Sequence, residues 1–126
     1  MPLTYQLDQS ILRISAAGDV EYTAGLEVTK AALLDARKVT QSAGAPLWDM
    51  LFDLRESTES RSTDELKGIA MALAQNMDIL TGRMAIVVID PYMVGIAEAF
   101  SVFAEKLGQK PQVFGAPKEA EAWLTS

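Results

Sequence analysis

Four residues of this chain have types and positions that suit chemistry: Asp53, Arg55, Asp90 and Tyr92. They fall at the ends of two apolar runs, 47–54 and 84–89, that read as strands. In α/β proteins, ligands sit off the carboxyl ends of such strands. Two carboxylates, a guanidinium and a phenol on one edge would hold a small polar ligand. A carboxylate pair also does acid–base work when its pKa values are split. Each of the four has a structural reading that is the stronger one. Asp90-Pro91 reads as a helix N-cap followed by Pro at the first helical position. Asp53 and Arg55 pair across a turn, and Tyr92 packs on a rim. The chain has no His and no Cys, so a Ser-His or Cys-His relay cannot form. Its 8 Gly are scattered and build no phosphate loop. Asp49 and Asp53 share a strand face but read as solvated carboxylates and not as a hard-cation site. No catalytic residue, metal or cofactor is expected.

A second chemical candidate is Ser62-Thr-Asp-Glu65. Ser62 with Glu65 three residues on is a capping box, each residue serving the other's backbone amide. Ser62 and Thr63 carry the hydroxyls at this helix start. Asp64 and Glu65 would repel an added phosphate, against the favourable helix dipole. The cap is the better supported role.

Composition bounds the classes. With 126 residues the chain reads as a single domain, 1–126, long enough to bury a core, and 49% of it is apolar. A net charge of −6 and the lack of a basic patch disfavour nucleic acid and anionic membrane. No apolar run is long enough to span a bilayer, and the first residues do not resemble a signal peptide. The expected location is the cytoplasm.

The elements that must position these residues follow from periodicity. Residues 4–7 and 11–16 read as strands joined by the break Asp8-Gln9-Ser10. Leu12, Ile14 and Ala16 alternate with polar neighbours, so one face of that strand meets solvent. Thr23 is the expected N-cap of a helix reaching Arg37 or Val39, and 41–46 is a loop. In the strand 47–54, Trp48, Met50, Phe52 and Leu54 share the core face. A polar loop, 56–63, precedes a helix over 63–77. Residues 84–89 are apolar on both faces, as a central strand should be. The helix after Pro91 runs to about Leu107 and is stopped by Gly108. Residues 112–114 form the last strand, and Pro117 opens the last helix. The order β-β-α-β-α-β-α-β-α implies a mostly parallel sheet with right-handed crossovers and an antiparallel first strand.

That order, with Leu51-Phe-Asp-Leu54, Met84-Ala-Ile-Val-Val-Ile-Asp90, Val113-Phe114, Glu119-Ala120 and Ala122-Trp-Leu124, resembles the STAS superfamily, and within it the SpoIIAA-like branch. The resemblance implies an α/β fold: a SpoIIAA-like (βα) superhelix whose mixed, mostly parallel five-stranded sheet carries four helices mainly on one face. It also implies a non-catalytic protein-interaction module with a regulatory role of the anti-sigma-factor-antagonist type, switched by phosphorylation of a Ser at the helix start that Ser62 matches. Arg61 and Asp64 stand where that switch motif carries Asp and Gly.

The expected function is therefore protein interaction, with a protein partner or a second copy in a homodimer. Val102 and Phe103 lie beyond the sheet-facing stripe of the third helix and are the candidate interface. The alternative is a small-molecule or lipid-binding domain with an adaptable Met-rich interior. An enzyme built on the four edge residues is the least favoured reading.

Overall fold

The computed structural model describes residues 3–44, 47–58 and 60–126. Its elements are β1 (Leu3–Asp8), β2 (Ile11–Gly18), α1 (Tyr22–Ala43), β3 (Trp48–Ser57), α2 (Thr63–Ala74), β4 (Leu80–Val87), α3 (Pro91–Lys106), β5 (Lys110–Phe114) and α4 (Pro117–Leu124). The five strands form one sheet in the order β1-β2-β3-β4-β5. β1 runs antiparallel to β2, and the other three pairings are parallel.

The hairpin between β1 and β2 turns on Gln9 and Ser10. Gln9 takes φ 58°, as a tight two-residue loop demands of its first residue. Register then aligns the apolar positions in rows across the sheet. Tyr5, Ile14, Phe52, Ile86 and Val113 lie side by side, and so do Leu7, Leu12, Met50, Met84 and Pro111. These rows meet α1, α2 and α3 in the main core. Each of those helices joins neighbouring parallel strands, and right-handed crossovers moving in one direction put them all on one face.

The other face is covered as well. Ile11, Leu51, Ala85 and Val87 pack with Ala120 and Leu124 of α4, and Phe114 and Trp123 close the cluster. Leu51 is therefore buried, and Leu47, just before β3, stays exposed. α4 follows the last strand and returns to no other, so no crossover rule assigns it a side. Asp49 also departs from the solvated reading. It is buried, and Arg83 Nη2 donates to its Oδ2 at 3.0 Å.

Boundaries moved where tertiary contacts extend an element. Glu21, not Thr23, caps α1, accepting from the Ala24 amide at 2.9 Å. α1 runs on to Ala43 and ends at Gly44, whose φ of 63° is left-handed. β4 begins at Leu80, four residues before Met84, because Trp48 N–H donates to the Ile79 carbonyl and starts the pairing early. Met1 and Pro2, and Ala45, Pro46 and Glu59 of the expected loops, lie outside the described residues.

Candidate functional site

The N-terminal halves of α1, α2 and α3 do not close fully onto the sheet. Between them lies a cavity of about 100 Å³. Its floor is the carboxyl-terminal part of the central strands: Ile14 and Ala16 from β2, Phe52 and Leu54 from β3, and Ile86 from β4. Its roof comes from the first turns of the helices: Leu26 and Thr29 of α1, Leu66 and Ile69 of α2, and Ile96, Ala97 and Phe100 of α3. The position obeys the general rule for α/β sheets, that space opens where strands end and helices begin.

The lining is apolar except at Tyr22, Thr29 and Arg61. Thr29 spends its hydroxyl on the helix, donating to the Gly25 carbonyl at 2.9 Å. Arg61 precedes α2 and reaches across to α1. Its Nη2 donates to the Val20 carbonyl at 2.7 Å, and Nη1 to the Ser60 carbonyl at 3.1 Å. The guanidinium carbon stands 5.7 Å from the Tyr22 ring centroid, within cation–π range. Tyr22 is held from the far side by Gly68, where a Cβ would come within 2.3 Å of the phenol oxygen. Gly25 gives similar clearance on α1, a Cβ there meeting Val20 Cγ1 at 3.1 Å. Glycine inside a helix costs roughly 0.5–1 kcal/mol relative to alanine. Two of them facing this rim are explained by the room Tyr22, Val20 and Arg61 need.

Among the described residues no Asp or Glu lines the cavity. Glu21 lies outside the lining. The Ala24 amide, with a smaller contribution from Arg61, holds its carboxyl below the usual range.

The four edge residues sit elsewhere and in two separate pairs. Asp53 grips Arg55 through Nε at 2.9 Å and Nη2 at 2.8 Å, and this hydrogen bonding holds the Asp53 carboxyl below its ordinary value. Asp90 caps α3, accepting from Tyr92 N–H at 3.0 Å and Met93 N–H at 3.2 Å. Tyr92 is exposed. Among the described residues no hydrogen bond or ion pair joins the two pairs. Each carboxylate already has a structural task, and the arrangement offers no poised proton donor and acceptor.

Ser62 caps α2. Its Oγ accepts from the Glu65 amide at 3.2 Å, and Glu65 Oε1 accepts from the Ser62 amide at 2.9 Å. Ser62 and Thr63 are both exposed. The candidate interface divides. Val102 is exposed, whereas Phe103 is half-buried against the core with the Lys67 ammonium 5.3 Å from its ring centroid.

Sequence reasoning missed Tyr22 and Arg61 as site residues. Arg61 was visible only as a departure from the switch motif. The available signal was the pair of glycines inside helical patterns, which mark close approach. Among the described residues there is no cluster of acidic side chains able to hold a metal ion and no helix long and apolar enough to cross a membrane.

No protein-family model matches the sequence, and no curated protein matches it. Among solved structures, the chain is similar to an uncharacterized protein of the DUF3478 family with a SpoIIAA-like fold from Shewanella loihica PV-4. The TM-score is 0.61 at 14% identity, and the match covers 97% of this chain and 91% of that one. With its antiparallel first pair, its parallel remainder and its four helices, this chain has the SpoIIAA-like α/β fold.

Proposed function

We propose that this chain is a non-catalytic binding module whose site is the apolar cavity beneath α1, α2 and α3. The observation that carries the reading is the cavity itself, at the ligand-binding end of an α/β sheet and lined almost wholly by hydrocarbon. Packed interiors hold few voids larger than a water molecule. An apolar void of ~150 Å³ takes up benzene. At about 100 Å³ this one suits a small ring or short chain and is too small for a long acyl chain, which favours a small molecule over a lipid. The engaged state of Asp53 and Asp90 supports a role in recognition and not in chemistry. Titration with toluene, followed by methyl NMR, tests it. Saturable shifts at Ile14, Ile86 and Ile96 are expected. Shifts absent from all three would overturn the reading.

Protein interaction is a second reading, supported by exposed Ile89 and Tyr92 around the Asp90 cap and by exposed Val102. Under it the chain is a regulatory, STAS-like module that pairs with itself or another protein, and Ser62 is its modifiable position. We place the chain in the cytoplasm, a setting that suits a sequence without cysteine. Sedimentation over a hundredfold concentration range would separate a dimer from a monomer. A monomer throughout would remove self-association.

A further inference from the structure

The two edges of the sheet are finished differently. On β5 the Phe114 carbonyl accepts from Val88 N–H at 3.0 Å, so Phe114 and Gln112 turn their backbone groups inward while Val113 and Pro111 turn theirs out. Pro111 has no N–H to offer an incoming strand, and Lys110 stands beside it. The other edge, β1, reads Leu3-Thr-Tyr-Gln-Leu-Asp8 and carries neither device. We propose that β1 is the interface between two copies of this chain, the two strands pairing antiparallel about a two-fold axis at Tyr5; this rests on the self-association reading above and puts its interface at the sheet edge and not on α3.

The hairpin fixes which groups the edge offers. Across a two-residue loop the flanking residues, Asp8 and Ile11, form a hydrogen-bonded pair. Bonded and non-bonded pairs then alternate along the ladder. Asp8, Gln6 and Thr4 therefore spend their backbone groups on β2, and Leu7, Tyr5 and Leu3 aim theirs away from it. Among the described residues no strand or loop bonds to that outer edge. A two-fold axis at Tyr5 pairs all three outward residues at once: Tyr5 with the partner's Tyr5, and Leu3 with the partner's Leu7. Between them Thr4 meets the partner's Gln6. Apolar then faces apolar, neutral polar faces neutral polar, and no like charges stand opposed. Any other register leaves at least one of the three outside the paired stretch. The strand is thus complementary to itself, as a two-fold interface requires.

The helix above continues the same surface. Asp35 of α1 accepts from the Tyr5 hydroxyl, which marks the helix flank on the β1 side. Ala24, Val28, Ala31 and Val39 recur at helical spacing along that flank, and all but Val28 are exposed. Asp35, the one charge among them, is engaged by Tyr5. Arg37 lies on the opposite flank, bonded to Asp78 at 2.6 Å. The axis that joins the strands sets the apolar flank against its counterpart. With 22 residues in α1, the flank is about 33 Å long and, helix and strand together, about 15 Å deep, which gives roughly 1,000 Å² in all, the lower bound for a specific interface.

The test uses the full chain, whose lack of cysteine makes single-Cys variants clean reporters. Thr4 and the partner's Gln6 would be a non-hydrogen-bonded pair with Cα atoms about 4.5 Å apart, within disulfide reach. Two copies of Thr4, or two of Gln6, would stand about 8 Å apart, beyond it. An equimolar mixture of Thr4→Cys and Gln6→Cys should therefore give the mixed disulfide dimer under mild oxidation, while each variant alone stays reduced. Either variant cross-linking alone to the same extent would overturn the register. Sedimentation should show a dimer whose dissociation constant rises tenfold or more in Thr4→Lys/Gln6→Lys, which opposes like charges across the axis. Thr4→Lys/Gln6→Glu should restore it. Both positions are exposed in the single chain, so neither pair threatens the fold. A dimer that forms no mixed disulfide and survives the lysine pair would place the interface elsewhere, overturning this proposal while leaving self-association standing. A monomer at all concentrations would overturn both.

Discussion

The two faces of the sheet solve the same packing problem in opposite ways. Three helices cover one face and leave a void; one helix of 8 residues covers the other and is stapled down by ions. On the second face Arg83 donates to Asp49 at 3.0 Å and to the Trp123 carbonyl at 3.1 Å, and it also reaches the Leu124 carbonyl. Thr81 bonds the same Asp49 carboxylate, and the Arg83 guanidinium lies 5.7 Å from the Trp123 ring centroid. A short helix buries too little to hold itself, and its last carbonyls lack intrahelical partners. Arg83 answers both needs at once. The three-helix face has apolar area to spare and tolerates an unfilled volume where its helices begin. The difference teaches that a polar network marks the place where burial alone is too small, and a void marks the place where burial is in surplus.

The comparison breaks first at Asp49. Asp49→Ala should cost about 3 kcal/mol, because it strips a buried partner from a charge. Urea unfolding reads that loss, and amide exchange should show α4 opening before the rest of the sheet. A change below about 0.5 kcal/mol, the range of an ordinary surface substitution, would mean that apolar contact holds α4 and the staple is ornamental.

Filling the void is the converse experiment. Ala97 is buried on α3 and lines the cavity. Ala97→Leu should stabilise by about 1 kcal/mol if the new side chain enters empty space. In a filled interior the same change would destabilise by roughly 1–3 kcal/mol. The sign of the shift in unfolding midpoint decides, and toluene binding should be lost in the variant.

Gly68 sharpens the reading of the rim. Gly68→Ala alone should gain nothing, since the helix-propensity benefit is offset by displacing the Tyr22 hydroxyl. In a Tyr22→Phe background the hydroxyl is gone, and the same change should recover about 0.5–1 kcal/mol. A double-mutant cycle that closes to zero would show that Tyr22 does not use the space over Gly68.

The smallest effect is acid dependence at Asp53. Its folded pKa is depressed by Arg55, so the stabilisation is present above the unfolded carboxylate pKa and fades as pH falls through the folded value. Asp53→Asn should remove that contribution, lowering stability slightly at neutral pH, leaving it little changed below the folded pKa and flattening the acid limb between. An unchanged acid limb would show that the pair persists in the unfolded chain.

How much of this was legible depends on which signal each feature leaves. The helix after Ser62 was legible because Ser62 and Glu65 carry their own instruction three residues apart. The α3 start was legible for the same reason, through Asp90-Pro91. Asp49 was misread because alternation puts it on a face with Asp53 without saying that Arg83, 34 residues on, would be its partner. Arg61 was passed over because nothing local shows that it reaches Val20, 41 residues away.

The sequence by itself determined the order of elements, the core-facing residues of the strand before Arg55 and the common side of α1, α2 and α3. Those follow from strand and helix periods, capping residues and the handedness of crossovers, all of which act over short stretches of chain. Only the tertiary structure decided the side taken by α4, the burial of Asp49 and the cavity at Arg61. Each of these depends on how volumes and charges from several distant elements add up once they are packed, and a void in particular belongs to no residue, being what remains when four strands and three helices fail to fill the space between them.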